Sequence, residues 1–290
     1  MNRLSFGSVG LSASSHWVKW RIADVAALVV VAIVNVPVYY QKPFQRQFYI
    51  NDLSISHPYA TNQRINDKML FVISFLVPFG AILAIWALLA DKRHRWYLLY
   101  ISLLGLCLTW SLTTLFTNFI KNWIGRLRPD FLARCEPRDG LPLDTLLNAE
   151  DVCTTQNTKR FLDGFRTTPS GHSSESFAGL GYLYLWLCGQ LITEHPETGI
   201  WRKITAFVPI LGATLIALSR TQDYRHHFID VILGSILGYV FAHYIYRRYF
   251  PALDSSVPFK PLLDDSDVNE DSLYMPHEPL QTSGTESLTA

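Results

Sequence analysis

Residues 219–246 read SRTQDYRHHFIDVILGSILGYVFAHYIY, and their character changes in a single step. Ser219-Arg220 and His226-His227 precede an almost wholly apolar run from Phe228 to Tyr246, with Asp230 near its start. About 20 apolar residues are what a helix needs to cross a bilayer core. A carboxylate inside such a run is costly and marks a functional candidate with a partner nearby. His226 lies four residues before Asp230, a spacing that puts both on one face of a helix. A carboxylate bonded to one ring nitrogen fixes the tautomer and raises the basicity of the other, which makes a histidine a nucleophile. His227, three residues from Asp230, is a rival that spacing does not exclude, and a purely structural His–Asp pair is the plainer alternative.

Working outward, the same pattern recurs. Six candidate spans run approximately over residues 25–40, 70–90, 97–120, 174–192, 204–218 and 228–246. The 290-residue chain is 49% hydrophobic and only 17% charged, where a soluble domain carries about 25% charged residues. The expected fold class is therefore an all-α polytopic membrane protein, a bundle of six transmembrane helices with its active site at one membrane face. Tyr39, Tyr40, Trp96, Tyr97, Trp123 and Trp201 fall near span ends, as interfacial aromatics do. Pro37 and Pro78 predict kinks in the first two spans, and Pro209 is tolerable in the fifth. Gly234 and Gly238 form a small-xxx-small pair that lets helices approach closely within the bundle. A net charge of +1, with aromatics in apolar runs rather than among Lys and Arg, gives no nucleic-acid surface.

An even number of spans puts both termini on one side and the loops 41–69, 121–173 and 219–227 on the other. Lys92, Arg93 and Arg95 crowd a very short loop on the terminal side, which favours cytosolic termini. Met1–Trp20 lacks the core and cleavage site of a signal peptide, so the first span is expected to act as the insertion signal and remain. The domain reading is a cytosolic N-terminal segment over residues 1–20, a six-span domain over 21–250 and a disordered acidic cytosolic tail over 251–290. That tail has Lys260 as its only Lys or Arg, and its composition offers little apolar surface to offset ordering entropy. Cys107 and Cys188 fall within spans as apolar residues. Cys135 and Cys153 share the long third loop, and a non-cytosolic loop permits a disulfide between them. Neither has a companion at zinc-ligand spacing, so no metal site is expected there.

Two further polar clusters sit at span ends on the side of Arg220 and His226. Lys121 and Arg128 are seven residues apart, which on a continuing helix sets both on one face until Pro129 discourages continuation. Interfacial snorkelling is the ordinary alternative for such cations. Pro169-Ser170-Gly171-His172 precedes the fourth span, where a glycine permits close backbone approach and the helix N-terminus favours an anion. A helix-capping turn with an incidental histidine is the bland reading.

Lys121-x6-Arg128-Pro129, Pro169-Ser170-Gly171-His172 and Ser219-Arg220-x5-His226-x3-Asp230 together resemble the three-part signature of the type 2 phosphatidic acid phosphatase superfamily, the lipid phosphate phosphatases. The resemblance covers roughly residues 20–250, and every signature position is filled. Stretches such as Tyr49-Ile50-Asn51-Asp52, Thr168-Pro169-Ser170-Gly171-His172 and Tyr224-Arg225-His226-His227 are similar to the fungal diacylglycerol pyrophosphate phosphatases. The resemblance implies His226 as nucleophile, Asp230 as its orienting partner and His172 as general acid. Lys121, Arg128, Arg220, Ser170 and the Gly171 backbone are then expected to hold the phosphate oxygens. It implies hydrolysis of diacylglycerol pyrophosphate, phosphatidic acid and lysophosphatidic acid from the bilayer through a phosphohistidine. Three fixed cations can take the place of Mg²⁺, and no cofactor is expected. Alternatives are a sphingoid base phosphate phosphatase and a catalytically silent transporter or scaffold of the same fold. Similarity to the fungal enzymes points to the vacuolar membrane, with Golgi or endoplasmic reticulum next, and to a lumenal active site. The sequence carries no signal for oligomeric state.

Overall fold

The computed structural model describes residues 16–90 and 95–264. Lys92 and Arg93, which bear on orientation, lie outside the described residues, as does most of the N-terminal segment. Among the described residues the α-helices are α1 (His16–Lys19), α2 (Ile22–Tyr40), α3 (Asp67–Phe71), α4 (Val77–Leu89), α5 (Arg95–Ile124), α6 (Phe131–Cys135), α7 (Ala149–Val152), α8 (Thr158–Asp163), α9 (Gly171–Gln190), α10 (Ile200–Gln222) and α11 (Phe228–Tyr249). Isolated β-bridges join Phe48 to Leu147 and Pro137 to Cys153, and no strand forms among the described residues.

Among the described residues five helices are long and apolar enough to cross a membrane: Ile22–Tyr40, Asp67–Leu89, Arg95–Ile124, Ile200–Gln222 and Phe228–Tyr249. The expected fourth span, α9, is equally long in kind but more polar, because Ser173, Ser174, Glu175 and Ser176 fill its first turns. It compensates by position. Helices α5, α10 and α11 all pack around α9, which is buried along most of its length. Gly234 and Gly238 of α11 lie against the backbone of Ser170 and Ser174, where any Cβ would collide, so this pair serves packing inside the bundle. By contrast α2 buries none of its residues and rides on α5, where Asn35 Nδ2 donates to the Ser111 carbonyl at 3.1 Å.

Pro78 shapes the second span. It has no N–H for the carbonyl one turn back, and the helix widens over Val72–Leu76 into π geometry just before it. The Ser74 carbonyl then faces Gly179 of α9, which has no side chain to obstruct it.

The main core fills the bundle, with Ile82, Leu106, Tyr182, Trp186 and Tyr246 among its buried members. A second, separate core lies in the loops: Phe48, Ile55, Leu127, Phe131, Cys135, Ala149, Val152 and Phe165. This cap holds α6, α7 and α8 over one end of the bundle. Cys135 and Cys153 are joined within it by a disulfide. Closing a loop of this length stabilises by about 3 kcal/mol in the chain-entropy model. Alkylation mapping of unreduced protein is therefore expected to leave Cys135 and Cys153 unlabelled, and reduction is expected to lower the melting temperature. Free thiols at both positions in native protein would contradict this.

The disordered tail expected from Pro251 does not begin there. Leu262 N donates to the Tyr249 carbonyl at 2.9 Å, Gln190 Nε2 donates to the Phe259 carbonyl at 3.0 Å, and Leu253 and Leu263 pack on the main core. Residues 251–264 carry Leu253, Val257, Phe259, Leu262 and Leu263, and an average over the whole acidic tail conceals this apolar start. The tail from residue 265 onward lies outside the described residues.

Candidate active site

Alternating helix direction brings the C-terminal ends of α5 and α10 to the same end of the bundle as the N-terminal ends of α9 and α11. Each polar cluster is carried there by its own helix end. Ser170 caps α9, its Oγ accepting from Ser173 N at 3.5 Å, and its own N–H donates to the Asp230 carbonyl at 2.9 Å. The signature turn is thereby stitched to α11. Gly171 opens α9, and a Cβ there would stand 2.8 Å from Lys121 Nζ, so glycine leaves the lysine room to reach the turn.

Arg128 does not lie on a continuation of α5. Gly125, at φ +60°, ends that helix well before Pro129, in the left-handed conformation that glycine adopts readily. The helical-face argument for Lys121 and Arg128 therefore fails, and a loop brings Arg128 to the site instead. Its Nε donates to the Asp163 carbonyl at 2.8 Å and its Nη2 to Asp163 Oδ1 at 2.9 Å. Nη1 donates to the Arg225 carbonyl at 3.2 Å and lies 3.4 Å from His226 Nε2.

His226 precedes α11 rather than belonging to it. The helix starts at Phe228, with His227 as an extended N-cap, so the four-residue helical spacing to Asp230 does not apply. Here the structure corrects the expected contact: Asp230 is not bonded to His226. Asp230 accepts from His227 N at 2.8 Å and pairs with His227 Nδ1 at 3.1 Å, forming a capping box. It also accepts from Arg126 Nη1 at 3.0 Å, from Thr167 Oγ1 at 2.8 Å and from the Thr168 hydroxyl. His226 Nδ1 instead donates to the Thr167 carbonyl at 2.7 Å. That bond places the proton on Nδ1 and leaves the Nε2 lone pair facing Arg128.

Both ring nitrogens of His227 are occupied, Nδ1 by Asp230 and Nε2 by the Ser54 carbonyl at 3.2 Å. His226 instead turns Nε2 to Arg128 Nη1, a long contact of 3.4 Å that an arriving phosphate can replace. Burial first, then Arg128, Lys121, Arg220 and His172, hold its ring well below the ordinary imidazole value. That shift favours the neutral ring, and the same four groups are those the sequence brings together with it.

Arg220 and His172 meet at one atom. Arg220 Nη1 donates to the Ile65 carbonyl at 2.9 Å, and His172 Nε2 donates to the same oxygen at 3.1 Å. Arg220 is completed by Gln63 Oε1 at 3.0 Å and Asp223 Oδ2 at 3.3 Å, while its buried Nε has no protein acceptor. The loop from residue 57 to 67 thus roofs the site. Tyr59 in that loop lies beneath three guanidinium groups, those of Arg134, Arg160 and Arg225, at 4.0–5.0 Å.

Sequence reasoning missed the carboxylates that hold the cations. Asp163 takes Arg128 on Oδ1 and Arg134 on Oδ2, at 2.9 and 3.0 Å. Partial burial works to raise its carboxyl, but Arg128, Arg134, Lys121 and Arg225 outweigh it and hold the group well below the usual carboxylate range. Asp130 pairs with Arg134 at 2.7 Å, completely buried. Nothing in the local sequence around Asp163 announces its partner. Among the described residues no group of three His, Cys, Asp or Glu is placed to hold a metal ion.

A neutral, buried imidazole ringed by fixed cations at the polar end of a membrane bundle has the makings of a phosphoryl-transfer centre. The chain belongs to the PAP2 superfamily, whose family model matches residues 98–253. It is 67% identical over 268 residues, 92% of either chain, to diacylglycerol pyrophosphate phosphatase 1 of Saccharomyces cerevisiae. It is 40% identical over 212 residues to the probable diacylglycerol pyrophosphate phosphatase 1 of Schizosaccharomyces pombe, covering 73% of this chain and 75% of that one. Lipid phosphate phosphatase 2 of Arabidopsis thaliana is 30% identical over 278 residues, 93% of each chain. No solved structure matches.

Proposed function

We propose that this integral-membrane protein is a Mg²⁺-independent lipid phosphate phosphatase that removes phosphate from diacylglycerol pyrophosphate, phosphatidic acid and lysophosphatidic acid. The observation that carries the reading is the setting of His226: the Thr167 carbonyl lies 2.7 Å from Nδ1, which places the proton there, and Nε2 is turned to Arg128 Nη1 at 3.4 Å, where a phosphate gripped by Arg128 would arrive. The similarity to the Saccharomyces cerevisiae enzyme supports the choice of lipid.

In this mechanism the Nε2 lone pair attacks phosphorus in line and the bond to the leaving oxygen breaks. His172 acts as the acid in its doubly protonated form: it gives that oxygen its Nε2 proton, after the leaving oxygen has taken the place of the Ile65 carbonyl, and keeps the proton on Nδ1. Water then attacks the phosphohistidine, the P–N bond breaks, and the water proton passes to His172, which releases inorganic phosphate and restores both rings. Lys121, Arg128 and Arg220 stabilise charge on the equatorial oxygens, the largest electrostatic contribution in such transfers. Ser170 and the Gly171 backbone add donors at the start of α9. The buried Arg220 Nε is satisfied when a phosphate oxygen arrives.

The disulfide in the cap supports a lumenal active site with cytosolic termini, since such bonds persist in oxidising compartments. The vacuolar membrane is the proposed location.

Purified protein in mixed micelles is expected to release phosphate from labelled diacylglycerol pyrophosphate, phosphatidic acid and lysophosphatidic acid at undiminished rate in excess EDTA. A strict requirement for added Mg²⁺, or hydrolysis confined to sphingoid base phosphates, would overturn the proposal.

A further inference from the structure

With Asp230 turned to His227, something else must hold the nucleophile. We propose that Thr167 is the positioning residue of His226, its carbonyl fixing the ring's tautomer and its hydroxyl linking the ring to Asp230. The inference rests on the reading of His226 as the attacking group.

Thr167 is fully buried, and it makes every contact the role requires. Its carbonyl accepts from His226 Nδ1 at 2.7 Å, and its Oγ1 lies 3.2 Å from the same nitrogen. Its hydroxyl proton goes to Asp230 Oδ2 at 2.8 Å. The hydroxyl has one proton to give, so an ionised Asp230 leaves the oxygen's lone pairs turned towards Nδ1–H. Donation to a carboxylate makes a hydroxyl oxygen a stronger acceptor, because hydrogen bonds in a chain polarise one another. Asp230 therefore acts on His226 from one residue away. Thr167 is itself pinned, its N–H donating to the Arg126 carbonyl at 3.3 Å, while Arg126 Nη1 holds Asp230.

The arrangement fits the chemistry. When Nε2 bonds to phosphorus the ring gains positive charge, and the proton on Nδ1 stays where it is. Two acceptors on Thr167 face that proton, one of them polarised by a carboxylate. The carbonyl orients the ring before attack, and the hydroxyl answers the charge that attack creates.

The test is a double-mutant cycle on the rate of phosphoenzyme formation, read by acid quench with a ³²P-labelled lipid, using Thr167→Val, Asp230→Asn and the double variant. Thr167→Val is expected to slow the step about 10- to 100-fold, the range for losing one hydrogen bond to a charged group, with little change in KM. Asp230→Asn is expected to slow it at least as much. The double variant should be no slower than the slower single variant, because both remove the same path. Thr167→Ser should restore the rate. Losses that multiply in the double variant, or normal labelling in Thr167→Val, would overturn the assignment. If Thr167→Val does not fold, Thr167→Ser is compared with Thr167→Ala, and equal rates for those two overturn it as well. Absence of any phosphoenzyme in the wild-type protein would instead remove the underlying reading of His226, and this inference with it.

Discussion

His226→Ala is expected to abolish turnover and to leave no trapped phosphohistidine, while His227→Ala keeps a working enzyme. Loss of a nucleophile that acts as part of a unit costs roughly a million-fold in the best-measured hydrolases. The two neighbours differ in what their ring nitrogens touch. His226 turns Nε2 to Arg128 of the phosphate grip at 3.4 Å, whereas His227 bridges Asp230 and the Ser54 carbonyl as a helix cap. Removing His227 costs the helix start a cap, commonly about 1 kcal/mol, and the rate falls modestly. Acid-quench labelling of both variants with a ³²P lipid decides the matter. Label surviving in His226→Ala but missing from His227→Ala would reverse the assignment.

Arg128→Ala should lower kcat roughly 100- to 1000-fold, the loss seen when one donor to a developing oxyanion is removed. Arg128 is the cation in contact with His226, and the loss also takes away the partner of Asp163 Oδ1, leaving Arg134 on Oδ2. Arg128→Lys is expected to recover little, since a lysine cannot bond Asp163 through two nitrogens while aiming a third at the site. Steady-state kinetics on micellar phosphatidic acid, with melting temperature as a fold control, measure both variants. Activity within a few-fold of wild type in Arg128→Ala would take this residue out of the phosphate grip.

The long helices were legible because bilayer crossing imposes length and apolarity on contiguous residues, and Phe228–Tyr249 could be read almost to its ends. The meeting of Lys121, Arg128, His172, Arg220 and His226 was legible because each lies at the same end of an alternating bundle. Local geometry was harder to read. Whether His226 and Asp230 share a helix face depends on where α11 starts, and one residue of difference moved the carboxylate's partner from His226 to His227. Gly125 similarly ends α5 before the spacing of Lys121 and Arg128 could matter. Asp163, Thr167 and Tyr59 were invisible because their partners lie in other elements, and no periodicity links a residue to a contact far along the chain. Pro251–Asp264 was misjudged because its apolar residues, Leu253, Val257, Phe259, Leu262 and Leu263, were averaged with the acidic remainder of the tail.

The cap over the site has its own small core, separate from the bundle and closed by Cys135 and Cys153. That core carries Phe131 and Phe165 next to Asp130, Arg134 and the Arg128–Asp163 pair. The bilayer can assemble the helices, but it contributes nothing to a core that lies in solution. A chain inserted in the opposite sense would leave both thiols in a reducing medium and the cap without its crosslink. With the loops on the proposed lumenal side, the crosslink that closes the cap forms only once they have reached an oxidising compartment, so the direction of insertion decides whether the cap is completed.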